Sequence, residues 1–306
     1  MSMLDIVLSL GPIFLVIALG QGLRRTGVIG AAFWPELDRL NYYVLFPAMI
    51  VTAINAGPLT AAALGRLSLV AIAAIAAGYA LLELLRLLAR IEGRAFTSVV
   101  QGMLRWNGFI AVPMMSALLG EEGLALAGAT FLVLVPVLNV LSVLVLLRYG
   151  QAAEGKAPDL LPSLARNPLI WACLVGLALN WSGLGLPAPL GPTADVLGQA
   201  AVACGLLAVG AALDAQVFRT APGLILAVCG LKLALMPLLA FGFGRLLGAD
   251  GLATSVAVLA LATPTATSSY TLARLLGGDA PLMAALITAT TVGSALSLPL
   301  VAWFLL

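Results

Sequence analysis

Arg105-Trp106-Asn107-Gly108-Phe109-Ile110-Ala111-Val112-Pro113 decides how this chain is read. The stretch lies within an apolar run, 95–119, long enough to cross a bilayer. A charge, an amide, a glycine and a proline are all costly at that depth. In lipid, backbone groups freed by a helix break must find partners inside the protein, so a break there is read as lining a cavity. A second stretch, Thr263-Pro264-Thr265-Ala266-Thr267-Ser268-Ser269-Tyr270, has the same character in the other half. The two are read as a matched pair of broken helices.

The bulk numbers place that pair in a membrane. Of 306 residues 62% are hydrophobic and only 9% charged, with mean hydropathy +1.12. A soluble domain carries about 25% charge. The class is therefore an all-α polytopic membrane protein. A net charge of +2 gives no sign of a nucleic-acid partner. Cys173, Cys204 and Cys229 fall inside apolar segments and read as small core residues, with no metal or disulfide framework. Histidine, the commonest metal ligand and neutral-pH proton shuttle, is absent. No cofactor or metal site is expected. Residues 1–22 lack a basic start and are followed by Arg24 and Arg25, which favours a retained helix with its N-terminus outside over a signal peptide.

A spanning helix needs about 20 mainly apolar residues. Ten segments qualify: 4–23, 40–56, 67–88, 95–119, 123–147, 167–181, 193–213, 222–247, 251–275 and 281–304. The polar connection 148–166, with Gly155, Lys156, Pro158 and Asp159, divides the chain almost in half. The expected organisation is a five-helix repeat over 1–150, a cytoplasmic loop over 151–166 and a second five-helix repeat over 167–306. The basic residues test the count. An N-out start puts Arg24, Arg25, Arg39, Arg86, Arg90, Arg94, Arg148, Lys156, Arg166, Arg219 and Arg274 on the cytoplasmic side. Only Arg66 and Arg245 fall on the other side, with Glu121 and Glu122. This follows the positive-inside rule, in a cell (inner) membrane with both termini on the non-cytoplasmic side.

Five spans per half make the halves enter the membrane in opposite senses, as an inverted repeat does in many secondary transporters. The fourth segment breaks around 107–113 and the ninth around 263–264. Pro136 and Pro299 sit in the fifth and tenth. Proline within a helix removes a hydrogen bond and costs about 3 kcal/mol. If the breaks cross at the midplane, four half-helix ends converge on one site. Such ends offer partial positive charge to anions and carbonyls to cations. The competing reading is a pair of kinks repaired by nearby hydroxyls.

Arg105 and Lys232 are buried cations in this reading. A charge at mid-bilayer costs about 2.5–3.5 kcal/mol on insertion scales and faces the bundle interior or water. Either one neutralises an anionic substrate, or Arg105 snorkels to the surface and Lys232 makes a structural contact. Glu83 and Arg86 read as a pair one turn apart. The candidate substrate-binding residues are Arg105, Asn107, Gly108, Pro113, Lys232, Thr263, Pro264, Thr267, Ser268 and Tyr270. Thr265 and Ser269 are further candidate hydrogen-bonding groups. Asn107, Thr267 and Ser268 carry most weight because they lie at the breaks, whereas hydroxyls in membrane helices often bond their own backbone. That last point applies to Thr288, Thr290, Thr291 and Ser294.

The pattern resembles the auxin efflux carrier (PIN-like) family, as a bacterial member. The matching residues are Asn41 through Phe46-Pro47, Asn107-Gly108-Phe109 to Pro113, Asn167-Pro168, Lys232 to Pro237, and Pro264-Thr265-Ala266 to Tyr270 with Ala273. The resemblance implies ten transmembrane helices as two inverted five-helix repeats, with helices 4 and 9 broken and crossing, in a bile-acid symporter or sodium/proton antiporter-like fold. It implies scaffold helices 1, 2, 6 and 7, a mobile transport domain of helices 3–5 and 8–10, and a homodimer. It maps the crossover prolines onto Pro113 and Pro264 and the substrate asparagine onto Asn107. Thr and Ser follow the second proline where PIN proteins supply an asparagine. Small carboxylates such as malonate or malate are the implied substrates.

The functional expectation is a secondary transporter of small organic anions, auxin-like acids included, working by an elevator-type movement. Coupling to Na⁺ or H⁺ is left open. An intramembrane enzyme is the opposing class, but its clustered Asp, His or Ser-His groups are missing. A membrane receptor that binds without turnover is the third.

Overall fold

The computed structural model describes residues 2–150, 162, 165–214 and 221–306. Most of the polar connection, with Lys156, and also Arg219 lie outside the described residues. Each of the ten apolar segments is mainly helical, the fourth and ninth being interrupted at 105–107 and 263–267, and the described residues contain no strand. The helices are α1 (Met3–Thr26), α2 (Phe33–Leu40), α3 (Phe46–Asn55), α4 (Ala61–Ala89), α5 (Gly93–Leu104), α6 (Gly108–Tyr149) and α7 (Pro168–Ser182). They continue as α8 (Leu190–Ala212), α9 (Pro222–Gly230), α10 (Met236–Leu246), α11 (Gly251–Ala262), α12 (Ser268–Leu275) and α13 (Ala280–Leu305). Six helical runs, among them Gly93–Tyr149, are long and apolar enough to cross a membrane.

Local chemistry explains the interruptions. Two π-helical turns, π1 (Asn41–Leu45) and π2 (Leu231–Leu235), each lead into a helix with proline at its second residue, Pro47 and Pro237. A proline ring clashes with the carbonyl four residues back. The widened turn relieves this, and the preceding N–H bonds one residue further away: Phe46 to the Asn41 carbonyl and Met236 to the Leu231 carbonyl. Inside α6, Gly120 adopts φ 67° and ψ −156°, a conformation open to glycine alone at no steric cost. It falls where the sequence places the link between the fourth and fifth segments.

The chain divides into two compact units. The first comprises 1–66, 108–135 and 161–212. In it α1 packs on α8, and α3 packs on α7 and α8. Small residues permit the close approach. A Cβ on Gly210 would lie 1.8 Å from the Ile17 carbonyl oxygen, and one on Gly20 would lie 2.1 Å from that of Leu207. Asn180 clips the end of α7 to the link after α3. Its Nδ2 donates to the Ile54 and Gly57 carbonyls at 2.7 and 2.8 Å, and its Oδ1 accepts from the Leu59 N–H at 3.3 Å. Leu4, Leu8 and Leu15 of α1 are 65–71% exposed, the apolar exterior that a bilayer requires.

The second unit comprises 67–107, 136–160 and 213–306. Here α5 packs on α13, α9 and α12, and α11 packs on α10 and α13. Every residue of α5 from Phe96 to Leu104 is buried, as is every residue of α11 from Val256 to Ala262. A helix apolar on all sides belongs inside a bundle. These two short helices form the core of the unit, and both stop in mid-core.

Candidate functional site at two helix breaks

Both core helices end in extended backbone. Arg105 closes α5 with φ −73° and ψ 136°, and Thr263 closes α11 with φ −61° and ψ 153°. Thr263 precedes Pro264, whose ring bars its neighbour from the helical region. No proline marks the first break. It spans 105–107, and the next helix already begins at Gly108. Pro113, expected at the break, lies inside α6. Pro264 lies within its break and is buried.

The two breaks are bonded to each other. The Asn107 N–H donates to Thr263 Oγ1 at 3.0 Å, and that hydroxyl donates to the Ala260 carbonyl at 2.7 Å. Thr265 Oγ1 donates to the Gly102 carbonyl at 2.6 Å. The Thr265 N–H donates to Thr290 Oγ1 at 3.2 Å, and Thr290 donates in turn to the Leu286 carbonyl at 2.7 Å. Each hydroxyl thus replaces a backbone partner lost where a helix stops, as burial demands. Thr263, Thr265 and Thr290 are all 0% exposed.

Arg105 is 9% exposed. Its Nη2 donates to Ser268 Oγ at 3.0 Å, while Nη1 has no hydrogen-bond partner among the described residues. Ser268 itself is exposed, and Ala266 and Thr267 beside it are half-buried. The guanidinium therefore reaches from the core toward an opening at the start of α12. Asn107 is 1% exposed.

The other expected residues stand apart from this group. Thr267 caps α12 without a side-chain bond to it. Tyr270 is 38% exposed, with the Arg274 guanidinium 5.9 Å from its ring centre. Gly108 belongs to the first unit, where an added Cβ would strike the Phe131 ring at 2.5 Å, so packing alone accounts for it. Pro113 also belongs to that unit. Lys232 sits on π2, which packs against α5, α11 and α13. It is 0% exposed, and Nζ has no hydrogen-bond partner among the described residues.

Sequence reasoning missed Gln101 and gave Ser269 and Thr265 less weight than Asn107, Thr267 and Ser268. Gln101 and Ser269 are 0% exposed, and their side-chain polar atoms have no partner among the described residues. Gln101 lies four residues before Arg105, on the same helix face. That spacing was the available signal. Thr265 stood among the candidate hydrogen-bonding groups, and nothing local distinguishes it from its neighbours. Thr288, Thr291 and Ser294 do bond carbonyls of their own helix, at 2.7–2.9 Å. Among the described residues no group of three His, Cys, Asp or Glu is placed to hold a metal ion.

Residues 5–302 match the membrane transport protein family. An uncharacterized transporter of Methanothermobacter thermautotrophicus is 28% identical over 295 residues, covering 94% of each chain. An uncharacterized transporter of Methanocaldococcus jannaschii is 26% identical over 213 residues, covering 68% of each. Both of these relatives are archaeal, whereas the sequence resemblance pointed to a bacterial member. A match over nearly the whole chain decides the family: this chain belongs to the membrane transport protein family, that of the auxin efflux carriers, and its members are transporters, not enzymes.

Proposed function

We propose that the chain is a secondary transporter of small organic anions, with its substrate held at the two breaks. The observation that carries this reading is Arg105. The guanidinium at the buried end of α5 has Nη2 on Ser268 and Nη1 without a hydrogen-bond partner among the described residues, beside an opening. Such a charge in a low-dielectric interior calls for a counter-charge. Among the described residues, the fully or nearly buried charged groups are Arg105 and Lys232, both cations. A carboxylate supplies what they lack.

In this reading Arg105 binds the carboxylate, Asn107 and Ser268 flank it, and Gln101 and Ser269 offer further hydrogen bonds. Thr267, Pro264 and Tyr270 shape the opening, and Lys232 adds positive potential from behind. Thr263 acts indirectly, by fixing the Asn107 backbone. Gly108 and Pro113 set the course of the chain after the break. The ten segments span the membrane as two inverted repeats, with both termini outside and helices 1, 2, 6 and 7 forming a dimeric scaffold. Segments 3–5 and 8–10 carry the site across as an elevator. Malonate and malate are the first substrates to try.

Uptake of labelled dicarboxylates into proteoliposomes tests this, with and without Na⁺ and pH gradients to identify the coupling ion. A charge-assisted hydrogen bond is worth about 1.5–3 kcal/mol, so Arg105→Ala should lower transport efficiency about tenfold or more. Arg105→Lys should recover part of the loss. Unchanged transport in Arg105→Ala would remove the site assignment, and tight binding without flux would remove the carrier reading.

A further inference from the structure

Away from the breaks, the second unit carries an apolar groove of about 520 Å³ between α4 and the later part of α6. One wall is the α4 face bearing Ile72, Ile75 and Tyr79, and the other is the α6 face bearing Val137, Val140 and Leu144. Each set repeats at three- and four-residue spacing, so each wall is a single helix stripe. Ile72 is 42% exposed and Leu144 51% exposed. The groove therefore opens sideways, toward the lipid around the unit. Among the described residues that line it, Tyr79 alone has a polar side chain, and its hydroxyl already donates to the Glu83 carboxylate at 2.5 Å.

The two walls run on to a polar lip at one end. There Glu83 also accepts from the Tyr149 hydroxyl, at 3.1 Å to each carboxylate oxygen. Arg86 Nε lies 3.5 Å from Glu83 Oε2. The Arg86 and Arg148 guanidinium carbons lie 4.4 and 5.0 Å from the centre of the Tyr149 ring. Arg148 is exposed. It follows Leu144 by one turn, about 6 Å along the helix, and Arg86 follows Tyr79 by about 10 Å. Two arginines against one glutamate leave a net positive charge at the lip.

We propose that this groove is the seat of one anionic phospholipid, with an acyl chain along the α4–α6 cleft and the phosphate at Arg148 and Arg86. The dimensions agree: about 520 Å³ lies within the roughly 300–1,000 Å³ of small-molecule sites, and the two apolar stripes give the groove the elongated shape of a chain. The chemistry agrees too. A carboxylate substrate would lose its hydration in this groove and find no donor, whereas an acyl chain gives up nothing. Basic pockets between membrane helices are known seats for anionic headgroups. The lip lies at the arginine-rich ends of α4 and α6, the side that the charge distribution assigns to the cytoplasm.

Native mass spectrometry of the detergent-purified full chain tests the proposal, with phosphatidylglycerol and phosphatidylcholine of identical acyl chains as probes. One net positive charge near the headgroup gives about a fivefold preference for phosphatidylglycerol. Arg148→Gln sits at the surface and should fold normally. It should abolish the preference while keeping a phosphatidylcholine adduct. Val140→Trp should fill the cleft and remove one tightly held lipid per chain, with an unchanged circular dichroism spectrum confirming the fold. Equal retention of the two lipids by the unmodified protein overturns the anionic assignment. Unchanged adducts in folded Val140→Trp overturn the groove as the seat. Protection of an introduced Leu144→Cys thiol that rises with protein concentration in delipidated protein overturns lipid as the occupant, by placing a second copy in the groove.

Discussion

Replacing Thr265 by valine should loosen the junction of the two breaks by about 1–2 kcal/mol. In a continued α5 the Gly102 carbonyl would accept from the amide four residues on, but α5 ends at Leu104. The Thr265 hydroxyl takes that place at 2.6 Å, a short bond at a 0% exposed residue. Valine keeps the shape and deletes the donor. An unsatisfied buried carbonyl costs about 1–3 kcal/mol, while measured hydrogen bonds between membrane helices average about 0.6 and reach about 1.7 kcal/mol. The short distance and complete burial place this bond toward the upper end of that scale. Thr265→Ser keeps the hydroxyl and loses one methyl, roughly 0.8 kcal/mol. Thr290→Val removes the acceptor of the Thr265 N–H, and the double variant should show a coupling of about 0.5 kcal/mol or more. Equilibrium unfolding of purified protein in mixed micelles reads all four. A Thr265→Val variant within about 0.3 kcal/mol of the unmodified protein would refute the reasoning, because the hydroxyl would then not be holding the breaks together.

Gly210→Ala places a methyl 1.8 Å from the Ile17 carbonyl and should cost about 1–3 kcal/mol or more, whereas Gly11→Ala meets nothing within 4 Å and should gain up to about 1 kcal/mol. Equal stabilities on thermal unfolding would contradict the α1–α8 packing. Asn180→Ala strands the Ile54 and Gly57 carbonyls and the Leu59 N–H, and should lower stability by about 2–3 kcal/mol in the same assay. Glu83→Gln keeps an acceptor for the two tyrosines and loses only a one-quarter-exposed ion pair with Arg86, so its cost should stay below about 1 kcal/mol and shrink further at high salt.

Hydropathy alone found where the chain is helical, because in lipid an apolar run has few structures open to it, and six of the helical runs are long and apolar enough to cross a membrane. Segment two was the largest miss: the helical run begins with α2 at Phe33, seven residues early. The polar Glu36, Asp38 and Arg39 of that amphipathic turn hid it from a hydropathy window. Pro47 and Pro237 were visible, but the π turns ahead of them were not, since the relief depends on one carbonyl shifting its partner by a residue. The Gly120 link was readable from the polar pair Glu121-Glu122 beside it. Both breaks were legible as polar interruptions, yet Pro113 drew the first one too far along the chain. Proline announces lost hydrogen bonds, and at 105–107 the loss is made good by hydroxyls more than 150 residues distant. No local signal carries that information.

The same hydrogen bonds divide the polar residues of the second unit into two kinds. Thr263, Thr265 and Thr290 spend their hydroxyls on backbone groups of the breaks. They hold the helix ends in register and have little left to offer a ligand. Arg105 is bonded to a single exposed serine and has a nitrogen to spare, and Gln101, Ser269 and Lys232 have polar atoms without partners among the described residues. The sequence presents all of these as one polar cluster, yet the physical consequences of substitution must differ. Changing a threonine of the first kind exposes a backbone group to an apolar core, and the loss should appear in unfolding whether or not substrate is present. Changing Gln101 or Ser269 to a residue of similar shape without polar atoms removes an unsatisfied buried group, which is neutral or stabilising for the empty protein. If these atoms serve the substrate, the same change weakens binding. Stability and affinity should therefore move in opposite directions for Gln101→Leu and together for Thr265→Val. A Gln101→Leu variant that gained stability and kept full transport would confine the binding role to Arg105 and its immediate neighbours.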